Sequence, residues 1–316
     1  MGNRRFLSSL AAAGFALLSL GGIAQARDVQ HELGTTNVPD EPKRIVVLEF
    51  SFIDSLAAVG VAPVGLTDDN KPERITEQYR AIIGNDFVSV GTRKSPSLEM
   101  IASLQPDLII ADKTRHSSAY KSLSAIAPTI VLDSLTGDYH SALEQAQVIG
   151  DAIGKSEEMK ARVAAHTARF ESVKANVANA KKEGRTFQFG VVSSRGLYLH
   201  APHSYNGSLL MALGLPLSLS AEGAGVSYES AYVKTSLEQL SEINPGVLLL
   251  GRYSENTVTD QWKDEPLYKA VTAVKEEQVY YVSGHNWARL RGIVASELTF
   301  DELEAALAKV AEKTGK

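Results

Sequence analysis

The sequence predicts an α/β protein of two Rossmann-like lobes joined by a single long helix. Three observations carry this. Short apolar runs alternate with stretches of helical periodicity, the pattern of helices layered on parallel strands. The segment SLEMIASLQPDLIIAD (97–112) returns as SLEQLSEINPGVLLLG (236–251), with Leu98, Ile101 and Leu104 answered by Leu237, Leu240 and Ile243. Between the two copies, Ser156 to Lys182 runs without Gly or Pro.

The elements follow in order. Arg4 and Arg5 precede an apolar run from Phe6 to Ile23, and Ala24-Gln25-Ala26 is a small-x-small cleavage site, so residues 1–26 read as a secretory signal peptide. Arg4-Arg5-Phe6-Leu7 is also a partial twin-arginine signal, which leaves the export route open. The first lobe spans 27–154, with strands expected at Ile45–Leu48, Val64–Leu66, Leu108–Ala111 and Thr129–Leu132 and helices at about Ser51–Val59 and Leu98–Leu104. The interlobe helix lies within 155–184. Glu157 and Glu158 sit in its first turn, Lys181 and Lys182 in its last, and Gly184 stops it. At 1.5 Å per residue it is roughly 40 Å long, a rigid strut that permits only small lobe movements. The second lobe, 185–316, has strands near Phe187–Val192, Val247–Leu250 and Val279–Val282 and helices at Gly207–Leu213 and Leu237–Ile243. GSLLMALGLPLSL (207–219) resembles DSLAAVGVAPVGL (54–66), each a helix closed by Gly before a short strand. A last helix, about Thr299–Glu312, closes the chain.

Composition narrows the function. Removal of Arg4 and Arg5 lowers Lys plus Arg from 32 to 30 against 37 Asp plus Glu, a net charge of about −7, with no global attraction to nucleic acid or anionic membranes. The absence of Cys excludes disulfides, thiol chemistry and a lipid-anchoring Cys after the signal. The mature chain is therefore expected to be soluble in an envelope compartment, a periplasm. VIGDAIGKS (148–156) imitates a phosphate loop, but its glycines are one residue too close and no strand precedes it. His200 and His203 form an H-x-x-H pair between Tyr198 and Tyr205, read either as metal ligands or as a polar loop; no carboxylate at ligand spacing accompanies them.

In open α/β sheets, ligands bind beyond the carboxyl ends of the strands. Those positions are rich in basic and aromatic residues: Lys113, Arg115 and His116 after LIIAD, Arg195 after FQFGVVSS, Arg252 and Tyr253 after VLLLG. Asn286, Trp287, Arg289 and Arg291 follow VYYVSGH, and VGTRKSPS adds Arg93. Six arginines so placed in an acidic protein suit an anion with several carboxylates, which the guanidinium fork matches bidentately. About half are expected to touch ligand. Trp287 is either a wall of the cleft or a core residue.

The stretches RIVVLEFSFIDSLAAVGVAPVG (44–65), VGTRKSPSLEMIASLQPDLIIADKTRHSSAY (90–120) and NWARLRGIVASE (286–297) carry a resemblance that covers essentially the whole mature chain. The chain resembles the substrate-binding proteins of ABC importers for iron chelates and vitamin B12, and within them looks most like the periplasmic ferric-citrate-binding proteins. The resemblance implies a class III periplasmic binding protein, of the helical-backbone metal-receptor type. It implies an iron(III)-citrate or related siderophore held between the lobes, no cofactor beyond that ligand, no catalysis, and a monomer that docks on an ABC permease dimer in the inner membrane. Carried over by position, the ligand contacts are Arg93, Arg115, Arg195, Arg289 and Arg291, with Trp287 and Tyr253, and the permease-docking residues are Glu99 and Glu238.

The alternatives are a receptor for a citrate-based hydroxamate siderophore, a receptor for a bare metal ion, which would need His, Asp and Glu ligands, and a secreted metalloenzyme using His200 and His203. Thr235-Ser236-Leu237-Glu238 also fits a capping box, in which Glu238 would only secure its helix. Pro96 replaces Thr235 in the first copy, so such a cap does not account for Glu99.

Overall fold

The computed structural model describes residues 26–179, 184–220 and 227–314. The expected signal peptide thus lies outside the described residues except for Ala26, as do Lys181 and Lys182.

A hairpin of β1 (Ala26–His31) and β2 (Gly34–Pro39) leads in. The first sheet holds β3 (Ile45–Val47), β4 (Gly65–Leu66) and β5 (Val88–Ser89). After the small hairpin β6 (Gly91–Thr92) and β7 (Ser95–Pro96), it is completed by β8 (Leu108–Asp112) and β9 (Thr129–Leu132). All its pairings are parallel and its order is β5-β4-β3-β8-β9, the 3-2-1-4-5 arrangement of a Rossmann-like half.

The second sheet, β12-β11-β10-β13-β14, differs from the expectation of a matching parallel lobe. β10 (Phe187–Ser193), β13 (Val247–Arg252) and β14 (Val279–Ser283) pair in parallel, but β11 (Gly196–His200) and β12 (Tyr232–Thr235) run antiparallel. Only Ser194 and Arg195 separate β10 from β11, which is a hairpin connection and too short for a parallel crossover. Arg195 therefore sits at a hairpin tip.

The repeated motif behaves alike in both halves. Helices Leu98–Ser103 and Leu237–Ile243 each feed the strand beside the first strand of their sheet, β8 next to β3 and β13 next to β10. Equivalent residues Gln105 and Asn244 both take left-handed backbone, with φ 45° and 46°. The caps correct the capping-box expectation. Ser97 accepts the Met100 N–H and Ser236 accepts the Gln239 N–H, and Gln239, not Glu238, closes the second box. Both glutamates sit one residue earlier, exposed on the first turn.

Each sheet has a core on both faces. Val47, Ile53, Leu56 and Ile110 lie on one face of the first sheet and Val46, Ile101 and Ile109 on the other; Phe189, Leu209, Leu249 and Phe300 face Leu199, Leu240 and Leu248 across the second. The intervening helix is Ser156–Asn179. The terminal helix, Ile293–Thr314, starts earlier than expected and joins both halves. Its Ala295 completes the first core, while Leu303 and Val310 fill the second. The two long helices are fastened together by Arg162, which donates to both Glu297 oxygens at 2.8 and 2.6 Å.

Candidate functional site

The carboxyl ends of β3 and β8 gather a network of charges. Glu49, 1% exposed, follows β3 and caps the Phe50–Ala58 helix. It accepts from Phe50 N at 2.9 Å, Arg93 Nη1 at 2.9 Å and Arg115 Nε at 2.8 Å. Burial by itself would raise its carboxyl, but the two guanidiniums outweigh that and hold it below the ordinary carboxylate range. Arg93 also gives its Nε and Nη2 to Asp69, at 3.0 and 2.8 Å, and lies over the Phe50 ring at 4.2 Å. Asp69 in turn pairs with Arg74.

Beneath them, buried Asp112 caps the turn that delivers Arg115 and accepts the Arg115 and Ser134 N–H groups. Burial pushes its carboxyl up to about 6. His116 Nδ1 accepts the Asp112 N–H at 2.9 Å, so its Nε2–H donates to the Arg93 carbonyl at 2.8 Å.

The second half supplies the facing wall. After β14 the chain makes a π-helical turn, His285–Arg289. Gly284 precedes this turn because a Cβ there would collide with the Arg252 carbonyl and the Tyr253 ring. The turn places Arg289 over Tyr253 at 4.3 Å, its Nη1 on His285 Nδ1 at 3.0 Å. Burial, then the Arg289 charge, lower His285 to about 4, so it is the neutral acceptor here. Arg291 lies over Tyr232 at 5.3 Å and donates to the Ser134 carbonyl of the first half at 2.8 Å.

A cavity of about 900 Å³ opens here, lined mostly by the second half and, from the first, by Lys71, Glu73 and Arg74. Its cations are Lys71, Arg74, Arg195, Lys234, Arg289 and Arg291, against Glu73 and Glu229. Tyr198, Tyr228, Tyr232 and Tyr253 supply aromatic surface, and His200 is among its lining residues. The arrangement can hold a polyanion through several guanidiniums while packing its less polar parts on rings.

Of the sequence candidates, Arg195, Arg289, Arg291 and Tyr253 meet in this cavity. Arg93 and Arg115 stand beside it, not among its lining residues, committed as described to Glu49 and Asp69. Arg252 is turned away: it pairs with Asp260 at 2.7 Å and lies over Tyr281. Lys113 pairs with Glu32 at 2.6 Å, and Asn286 is buried against Glu302.

Trp287 requires a correction. It is 0% exposed, stacked on Phe189 with Nε1 donating to Glu302 at 3.1 Å, so it is core and not a wall of the cleft. The indole N–H finds its acceptor on the terminal helix, which draws the ring inward. The H-x-x-H pair does not converge either. Burial, then Arg291, hold His200 well below its usual pKa, and His203 bonds Ser230 at 3.0 Å. No group of three or more potential metal-ligating side chains occurs among the described residues.

The sequence reading missed Lys71 and Arg74, although TDDNKPER follows β4 and the strand-end rule reaches them. It also missed Tyr198, Tyr228, Tyr232 and Lys234, which belong to the antiparallel strands and the turn before β12, where that rule does not apply.

Comparison with known proteins agrees with this architecture. The periplasmic binding protein family profile matches residues 45–284. The Fe(3+) dicitrate-binding periplasmic protein FecB of Escherichia coli is 42% identical over 274 residues, 87% of this chain and 88% of the relative. The Fe(3+)-citrate-binding protein YfmC of Bacillus subtilis is 40% identical over 272 residues, covering 86% and 83%. Among solved structures, the petrobactin-binding protein YclQ of Bacillus subtilis superposes with a TM-score of 0.73 at 26% identity, covering 90% of this chain and 99% of that one.

Proposed function

The chain belongs to the periplasmic binding protein family, and from that membership we propose that it is the periplasmic receptor for ferric citrate, delivering it to an inner-membrane ABC importer. The observation that carries this is the cavity between the two sheets, where six cationic side chains and four tyrosines face only two carboxylates. An iron(III) citrate complex offers outward carboxylates to such a lining. The relatives named for ferric citrate are 40–42% identical over most of their length, which favours that chelate.

In this reading Arg195, Arg289 and Arg291 bind the chelate's carboxylates and Tyr253 packs against it. Arg115 contributes from the first-half rim, and Arg93 holds that rim in place. The protein binds and releases without turnover, as a soluble monomer exported to the periplasm. Glu99 and Glu238, exposed at equivalent places on two Ser-capped helices, are the docking points for the permease dimer.

Calorimetric titration of the mature protein with ferric citrate, iron-free citrate and a citrate-hydroxamate siderophore tests the proposal. Tightest binding of ferric citrate is the expected result. Preference for the hydroxamate chelate would change the ligand and leave the transport role, whereas no binding of any iron chelate would end the proposal.

A further inference from the structure

The second-half arginines of the cavity are held differently from the arginines of the first half. Arg74, Arg93 and Arg115 each pair with a carboxylate, Asp69 or Glu49. Arg289 and Arg291 instead each lie over a tyrosine ring and donate to a neutral acceptor, His285 Nδ1 at 3.0 Å and the Ser134 carbonyl at 2.8 Å. The Leu290 N–H closes the π-helical turn on the His285 carbonyl at 2.9 Å, which brings His285 and Arg289 together in the cavity lining. His285 also meets Tyr253 edge-on, ring centroids 5.6 Å apart, so the three side chains form one cluster.

A guanidinium can only donate, so the His285 nitrogen that meets it is unprotonated and the ring is neutral. That bond uses one N–H of Arg289, and no other protein acceptor takes the rest among the described residues. Arg289 is therefore a cation without a counter-ion. Burial holds its pKa below the ordinary arginine value, with the charges of Arg74 and Arg93 adding to the effect. At Arg93 burial acts the same way, but Glu49 and Asp69 outweigh it. A carboxylate in the place of His285 would hold the Arg289 guanidinium as firmly and cancel most of its pull on an anion.

We propose that His285 is a positioning residue for anion binding: its Nδ1 and the Tyr253 face fix the Arg289 guanidinium at the cavity wall without neutralising it, and a carboxylate of the bound chelate supplies the missing counter-charge. This rests on the ferric-citrate reading above. The unpaired N–H groups of Arg289 bind that carboxylate. The cost of keeping a lone, half-buried cation in the free protein is relieved when the ligand arrives.

The test measures ferric citrate affinity by calorimetry in the wild-type protein and in His285→Phe, His285→Asn and His285→Asp. His285→Phe keeps a ring against Tyr253 but loses the acceptor, and is expected to weaken binding by about fivefold or more. His285→Asn places an amide oxygen where Nδ1 stands and is expected to recover all but about twofold of that loss. His285→Asp, which holds the arginine through a carboxylate, is expected to bind more weakly than His285→Asn while melting no lower. In the Arg289→Ala background, His285→Phe should cost less than about twofold, because its effect passes through Arg289. An effect that persists undiminished in that background, or His285→Asp binding as tightly as His285→Asn, would overturn the proposal. Should His285→Phe fail to fold, His285→Ala carries the same comparison. Failure of the wild-type protein to bind ferric citrate would sink the functional reading; wild-type binding that His285→Phe leaves unchanged would sink only the role of His285.

Discussion

Asp54, on the first long helix of the first half, accepts the backbone N–H of Ala295 at 2.8 Å, at the start of the terminal helix. It also accepts the Val294 N–H at 3.2 Å and the Tyr79 hydroxyl. From the second half, the Tyr205 hydroxyl donates to the Gly292 carbonyl and accepts its N–H, both at 3.0 Å. Gly292 has φ +134°, and a Cβ there would run into the Asp54 carboxyl. Both halves therefore grip one short segment, and Arg291, the residue before it, enters the cavity from a fixed base.

Burial pushes the Asp54 carboxyl up to about 6, and the hydrogen bonds only partly offset this. Its pKa is higher folded than unfolded, so its contribution to stability is full below about 4 and is lost as pH rises through 6. Asp54→Asn, which keeps one acceptor, is expected to cost about 1–3 kcal/mol, with a deficit that is smallest at neutral pH and grows on acidification. Urea denaturation of both proteins at several pH values checks this; a deficit that shrinks on acidification would contradict it.

Glu297 behaves oppositely. Burial raises its carboxyl, but His166 and Arg162 outweigh burial and hold it at about 2. Its contribution is present above the unfolded value and is lost as pH falls from about 4.5 to 2. Because the pair is partly exposed, Glu297→Gln is expected to cost only about 1–2 kcal/mol at pH 7, and nothing near pH 2. Melting curves of variant and parent that converge in acid are the expected readout.

The arginines should separate by position. Arg289→Ala or Arg291→Ala is expected to weaken ferric citrate binding by at least tenfold, roughly the loss of one charge-assisted hydrogen bond. Arg115→Ala should also weaken it. Arg252→Ala, whose parent side chain is held by Asp260, should leave affinity unchanged. Calorimetry on the four variants decides, and an Arg252 effect equal to that of Arg289 would show the cavity wall to be wrongly drawn.

Glu99→Ala with Glu238→Ala should abolish iron-citrate uptake by cells while leaving chelate affinity and melting temperature unchanged. The helices keep their starts because Ser97 and Ser236 cap them. By contrast, Ser236→Ala should cost about 1 kcal/mol of stability. Loss of chelate binding in the double glutamate variant would contradict the docking assignment.

The order of residues by itself determined most of the parallel strands of both sheets, the linking helix and the equivalence of the two glutamate-bearing helices. Apolar periodicity, caps and strand runs act between near neighbours, so they are legible along the chain. It also put Arg289, Arg291 and Tyr253 beyond the ends of parallel strands, and all three line the cavity, since a parallel strand points its following loop to one edge of the sheet. Only the tertiary structure decided which charges stay free. Arg93 meets Asp69 and Glu49, Arg115 meets Glu49, and Trp287 meets Glu302, and no local pattern announces these partners. The antiparallel strands that carry Tyr198, Tyr232 and Lys234 were hidden for a related reason. A two-residue turn reverses the chain, and which residues then face the cavity depends on the pairing of β10, β11 and β12. Local propensity makes the elements, whereas a functional charge is whatever remains after distant side chains have been brought within hydrogen-bonding distance.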